Sequence, residues 1–235
     1  EVVIERLDIK RDVYSKLAEY MPEHAILSSN TSTLPRSKLV AGMPSSLSSR
    51  FLITHFFNPP RYLPLLEIVT SKEVPEETLQ RFTSFADEKL GKRVTLCNDT
   101  PGFIGNRLGI YFVQRAIAAT LDHGFTVEQA DAMLGRPIGL PKTGVFALMD
   151  LVGIDLVPHV IESMIQHLPK EDALHTIAGR GGDIITAMIE EGYTGRKGKG
   201  GFYRLNTDDG QRIKEARNLE TGEYAPANRR AAFPS

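Results

Sequence analysis

Two side chains in the first third of the chain carry the clearest chemistry. His55 closes an apolar run, Phe51-Leu52-Ile53-Thr54, and Phe56-Phe57-Asn58-Pro59-Pro60 follow it. Farther on, Glu67 interrupts a second apolar run, Leu65-Leu66-Glu67-Ile68-Val69. A carboxylate inside such a strand is costly to bury unless it is paired. If the two runs are neighbouring strands, His55 is its natural partner. A carboxylate beside an imidazole selects the ring tautomer and stabilises the protonated ring, as a general base that must hold a proton requires. The same spacing also fits a structural histidine and a strand glutamate facing water.

The other polar candidates are less specific. Ser28-Ser29-Asn30-Thr31-Ser32-Thr33 follows an apolar run and precedes Leu34-Pro35, so it forms a loop at the same sheet edge. Its hydroxyls and amides can hold a ligand, or Ser32 or Thr33 can cap the helix that follows. Asn106, in Pro101-Gly102-Phe103-Ile104-Gly105-Asn106-Arg107, lies in a first helical turn, facing either a cleft or solvent. Asn30-Thr31-Ser32 and Asn98-Asp99-Thr100 match the glycosylation sequon but follow no signal peptide. The remaining histidines show no metal-ligand spacing, so no metal site is expected. The chain contains no G-x-S-x-G, no P-loop and no G-x-G-x-x-G; the glycines from Gly195 to Gly201 read as a basic turn entering a last strand.

These residues need elements to position them. Strand-like runs at Val2-Val3-Ile4, Ala25-Ile26-Leu27, Phe51–Ile53, Leu65–Val69 and Val94–Cys97 alternate with helical spacing at Ile9–Met21 and Glu76–Leu90. Such alternation predicts an α/β layer with a mostly parallel sheet. Beyond Pro101 the pattern turns helical, at 103–123, 127–134, 144–166 with a break near Gly153, and 183–191. A single strand follows at Phe202–Leu205, and then a polar tail that includes Asn228-Arg229-Arg230. The expected organisation is an α/β unit over 1–100, an all-helical unit over 101–205 and a tail or linker over 206–235.

Composition narrows the class. The 235 residues are 41% hydrophobic and 24% charged, with 28 Lys+Arg against 29 Asp+Glu. This is ordinary globular composition, neither disordered nor collagen-like, and it disfavours nucleic acid as a partner. One cysteine, Cys97, excludes an internal disulfide framework and a cysteine-rich zinc site, and points to a reducing, cytoplasmic setting. No apolar run approaches the roughly 18 residues of a membrane span. The chain opens inside an apolar run, at Glu1-Val2-Val3-Ile4, which suggests a piece of something longer.

Read together, the segments resemble the L-3-hydroxyacyl-CoA dehydrogenase family. The resemblance runs through Val3-Ile4-Glu5, Leu27–Ser32, His55-Phe56-Phe57-Asn58-Pro59, Pro64–Val69, Asp99–Arg107, Leu148–Asp155 and Gly201-Phe202-Tyr203, over roughly 1–205. It implies a partial Rossmann-like, NAD-binding α/β domain and a helical domain that closes over acyl-CoA and supplies a homodimer contact. By matching positions, His55 would take the proton of the substrate 3-hydroxyl while hydride passes to NAD, and Glu67 would orient His55. Ser32 and Asn106 would bind substrate oxygen. Glu5, Lys10, Asn30, Asn58 and Lys197 would line the cofactor.

Two departures from the family pattern matter. The glycine-rich phosphate loop is absent from the chain, so NAD binding by these residues alone is expected to be weak and the fragment inactive alone. Leu140-Pro141-Lys142-Thr143-Gly144 looks more like the long forms joined to an enoyl-CoA hydratase region. Two other readings stay open: a non-catalytic dimerisation or binding module, and another NAD-dependent β-hydroxyacid dehydrogenase. The second typically uses a lysine base, against which the His55/Glu67 pair argues.

Overall fold

In a computed structural model, which describes residues 1–207 and 211–228, the chain forms two compact units, Glu1–Leu108 and Gly109–Ser235. The first contains α1 (Leu7–Ala18), β1 (Leu27–Ser29), α2 (Arg36–Val40), α3 (Ser45–Ser48), β2 (Phe51–Phe56), β3 (Leu65–Val69), α4 (Glu76–Glu88) and β4 (Arg93–Cys97). The strands form one sheet in the order β1-β2-β3-β4. β1 pairs with β2 and β3 with β4 in parallel, while β2 and β3 are antiparallel.

Strand alternation sorts the core. Phe51 and Ile53 pack with Tyr14, Leu27, Leu39 and Val69 on one face of the sheet. Leu52, Leu66 and Ile68 pack with Leu79 and Ala86 of α4 on the other. The strand expected at Val2–Ile4 is not formed. That run is exposed, with Val2 at 81% and Ile4 at 62%. β-branched residues predict a pleated, half-buried surface, but here the backbone bends to carry Glu5 back toward β1.

The second unit takes up the rest of α5 (Gly105–Asp122), then α6 (Val127–Met133), α7 (Phe146–Val152), α8 (Leu156–His167), α9 (Gly182–Glu190), β5 (Tyr203–Asn206), β6 (Ile213–Arg217) and β7 (Tyr224–Pro226). Gly153, at φ 115°, ends α7 where a break was expected. The residues expected as a tail instead add β6 and β7 to β5 as an antiparallel sheet. Ion pairs and rings hold those strands: Arg204 to Glu215 at 2.6 Å, Arg217 to Glu191 at 2.8 Å, and Lys214 over the Tyr203 ring. Arg229 and Arg230 of the expected tail lie outside the described residues. Among the described residues no helix is long and apolar enough to cross a membrane.

Two carboxylates bolt this unit together, Asp150 buried and Asp131 half-buried. Asp131 accepts the backbone N–H of Phe146 at 2.7 Å, that of Ala147 at 3.0 Å and the Tyr203 hydroxyl at 3.0 Å. Asp150 accepts the N–H of Phe202 at 2.8 Å and of Tyr203 at 2.9 Å. Burial pushes Asp150 up to about 6 despite those two hydrogen bonds. Gly201 is required beside it, because an added Cβ would fall inside the Asp150 carboxylate and 2.9 Å from Ile154 Cδ1. Gly201→Ala is expected to destabilise the protein by about 1–3 kcal/mol, the usual cost of overpacking. Urea denaturation checks this, and a midpoint equal to wild type would refute the packing argument.

Candidate active site

The antiparallel register of β2 and β3 sets His55 directly opposite Glu67. Opposed residues on one face bring their Cβ atoms within about 5.5 Å, close enough for a direct side-chain bond. The two are buried, at 4% and 1% exposure, and His55 Nδ1 lies 2.7 Å from Glu67 Oε2. Glu67 Oε1 accepts the backbone N–H of Gly105 at 2.7 Å and of Ile104 at 3.0 Å. Burial by itself raises the Glu67 carboxyl. The bond from His55 and the two N–H bonds outweigh it and hold the group below the usual carboxylate range. An ionised carboxylate only accepts, so the hydrogen of the neutral imidazole sits on Nδ1 and the Nε2 lone pair is free.

The backbone between β4 and α5 is shaped to serve this carboxylate. Gly102 and Phe103 both take left-handed conformations, at φ 71° and 51°. Phe103 lacks glycine's freedom, and such backbone costs on the order of 1–3 kcal/mol. Consecutive N–H groups beyond the turn then converge on one anion at the N-terminus of a helix, where negative charge is favoured. The rings of Phe57 and Phe103 flank His55, with centroids 4.7 and 5.6 Å away. Phe57 also lies against Gly105, where a Cβ would approach it to 2.5 Å. Cys97 is the nearby thiol. Burial, followed by the Glu67 charge, pushes it up to about 11, which leaves it a neutral packing group.

Most of the other expected site residues gather at the same sheet edge. Asn106 Nδ2 donates to the Ser32 carbonyl at 3.1 Å. Asn30 Oδ1 accepts the Phe56 N–H at 2.9 Å and so ties the end of β1 to the residue after His55. Glu5 Oε1 accepts the Thr31 hydroxyl, the Ser32 N–H at 3.1 Å and the Thr33 N–H at 3.3 Å. Asn58 is exposed in the β2–β3 loop. Neither Ser32 nor Thr33 caps α2. Asp99 does so, accepting from the N–H of Arg36 and, at 2.8 Å, of Ser37.

Two of the expected cofactor residues are placed differently. Lys10 is only 1% exposed, and its ammonium is spent on Glu1 at 2.9 Å, Glu5 at 3.2 Å and the Val3 carbonyl at 3.2 Å. It can act on a ligand only by orienting Glu5. Lys197 belongs to the second unit, where it pairs with Asp155 at 2.8 Å.

The residues that sequence reasoning missed are those that hold the site together. Glu1 accepts from Lys10, from the Tyr14 hydroxyl at 2.5 Å and from Ser29 at 2.7 Å. Burial raises its carboxyl, but these bonds and the Val3 N–H bring it down to about 2. The one available signal was the spacing of Lys10 and Tyr14, four apart and therefore on one helix face.

Residues 1–100 match the family described as 3-hydroxyacyl-CoA dehydrogenase, NAD binding domain, and residues 102–205 match its C-terminal domain. A Rickettsia prowazekii protein named as a fatty acid oxidation complex trifunctional enzyme is 41% identical over 229 residues, covering 97% of this chain but 32% of its own length. The chain thus spans about a third of that relative. A Deinococcus radiodurans protein named as a 3-hydroxybutyryl-CoA dehydrogenase is 30% identical, with 87% of this chain and 70% of that protein aligned. Among solved structures, FadB2 of M. tuberculosis superposes with a TM-score of 0.76 at 30% identity, over 88% of this chain and 70% of that one. On these matches, which fall in both parts of the sequence, the chain belongs to the 3-hydroxyacyl-CoA dehydrogenase family.

Proposed function

We propose that the protein carrying this chain oxidises L-3-hydroxyacyl-CoA to 3-ketoacyl-CoA with NAD, as a step of fatty-acid β-oxidation. The observation that carries this reading is the buried His55–Glu67 pair, with Nδ1 committed to the carboxylate and Nε2 left able to accept a proton. Nε2 takes the proton of the substrate 3-hydroxyl. Glu67 stabilises the resulting imidazolium and, held by the N–H groups of Ile104 and Gly105, does not move as the charge develops. Ser32 and Asn106, joined to each other, hydrogen-bond the substrate oxygens.

The polar groups at the carboxyl ends of β1 and β2 suit a nicotinamide riboside. Glu5 offers a carboxylate with 39% of its side chain exposed, Asn30 keeps its amide N–H groups after Oδ1 is spent, and Asn58 faces solvent. Lys10 holds Glu5 in place. Glu5, Asn30 and Asn58 would hold NAD there, and the cofactor would supply the acceptor for the hydride of substrate C3. A homodimer contact through the second unit and fusion to a hydratase region complete the reading. Support for the contact is an apolar cleft lined by Val157, Ile161 and Ile165 of α8 and Ile185 of α9, and support for the fusion is the trifunctional relative.

The deciding assay is acetoacetyl-CoA reduction by NADH in the full protein. His55→Ala should lower kcat by about 10²–10⁴-fold, the range for a lost general acid–base group; equal rates would sink the assignment. Glu67→Gln should lower kcat by a similar factor of about 10²–10⁴ with KM little changed, because an amide donating to Nδ1 puts the ring hydrogen on Nε2. The depressed Glu67 carboxyl also adds stability that is present above 4.5 and is lost as pH falls through its folded value. Acid denaturation of Glu67→Gln should lack that step, and an acid limb identical to wild type would count against the pairing.

A further inference from the structure

The β2–β3 loop begins two residues after His55 and ends three residues before Glu67, so it closes the hairpin that carries the pair. It is poorly equipped to hold itself. Pro59, Pro60 and Pro64 supply no N–H, and residues 58–64 are all exposed. Its internal hydrogen bonds run from the N–H groups of Tyr62 and Leu63 to the one carbonyl of Pro59, at 3.0 and 3.2 Å.

The missing restraint comes from Lys92. Gly91, at φ 62°, turns the chain after α4, and the Lys92 N–H bonds back to the Ala86 carbonyl at 2.9 Å. The Lys92 side chain then runs under the loop, 7% exposed. Its ammonium donates to the carbonyls of Pro60 and, at 2.8 Å, Leu63, and lies 5.8 Å from the Phe56 ring centroid. The adjacent Arg93 N–H takes the Pro64 carbonyl at 2.7 Å. Among the described residues no carboxylate pairs with Lys92. Burying an ammonium on carbonyl dipoles alone is expensive, and the loop geometry is what that cost maintains.

We propose that Lys92 is a positioning residue for the His55–Glu67 pair and for Asn58, acting by holding the β2–β3 loop through its Pro60 and Leu63 carbonyls. Its kinetic consequence rests on the dehydrogenase reading, whereas its structural consequence does not. Arg61, exposed within the loop, provides a direct probe, since trypsin cleaves after it only when the loop opens.

The test compares wild type, Lys92→Met and Lys92→Arg in the full protein. In Lys92→Met, tryptic cleavage after Arg61 should accelerate about tenfold or more, because a charge-assisted hydrogen bond is lost and cleavage tracks the open population. Cleavage at Lys and Arg sites elsewhere should keep its wild-type rate. The KM for NAD should rise about tenfold, through Asn58, and kcat should fall by a similar factor, through the His55–Glu67 pair. Lys92→Arg, whose guanidinium can still reach two carbonyls, should restore both readouts. Unchanged cleavage at Arg61, or equal acceleration at all sites, would overturn the proposal. If cleavage responds as expected but the wild type reduces no acetoacetyl-CoA, the loop restraint stands and the dehydrogenase reading falls.

Discussion

A buried carboxylate with both oxygens hydrogen-bonded is the constraint around which the site of the first unit is built. Glu67 lies in the middle of an apolar strand, where an unpartnered charge would cost several kcal/mol. One of its oxygens takes the imidazole of His55 and the other takes two backbone N–H groups at the start of α5. This requirement accounts for features that otherwise look unrelated. It explains the left-handed Phe103, the glycine at position 105 and the clamp of Phe57 and Phe103 around the imidazole. In the proposed reaction, an acceptor fixed in this way would need no reorganisation when its histidine takes up a proton, which is where preorganised electrostatics gain their effect.

The second unit uses the same device for a different purpose. Asp131 and Asp150 also accept paired backbone N–H groups, but Asp131 joins α6 to the start of α7 and to the Tyr203 hydroxyl, and Asp150 joins α7 to the backbone that begins β5. Here the charge is disfavoured by burial, and Asp150 sits well above the ordinary carboxylate range. Burial raises both groups; for Glu67 the His55 and backbone hydrogen bonds outweigh it, whereas at Asp150 burial, with the neighbouring Asp131 charge, outweighs its two backbone donors. One chemical group thus serves as a site component in one unit and a structural bolt in the other.

Legibility in the sequence followed the physics of each element. β2, β3, β4, α4 and α5 stood out because their apolar residues come in short runs or at helical spacing along the chain. β6 did not, because three of the five residues of Ile213-Lys214-Glu215-Ala216-Arg217 are charged, and Glu215 and Arg217 are buried through ion pairs. Val2-Val3-Ile4 misled in the opposite direction, since its β-branched residues lie exposed. Within the site, His55 and Glu67 were visible as polar residues in apolar strands. Glu1 was not, because nothing local marks a carboxylate whose partners are Lys10, Tyr14 and Ser29.

The sequence by itself determined which residue types were available and which shared a strand face, because side-chain alternation is a local property of the backbone. That was enough to place His55 and Glu67 on compatible strands and to carry the family resemblance. Only the tertiary structure decided the antiparallel register that sets them opposite each other, the arrival of the Gly105 and Ile104 N–H groups at Glu67, and the reach of Lys92 to Pro60 and Leu63. Each of these depends on closing the chain over many residues, and local patterns carry no information about the register in which distant segments meet.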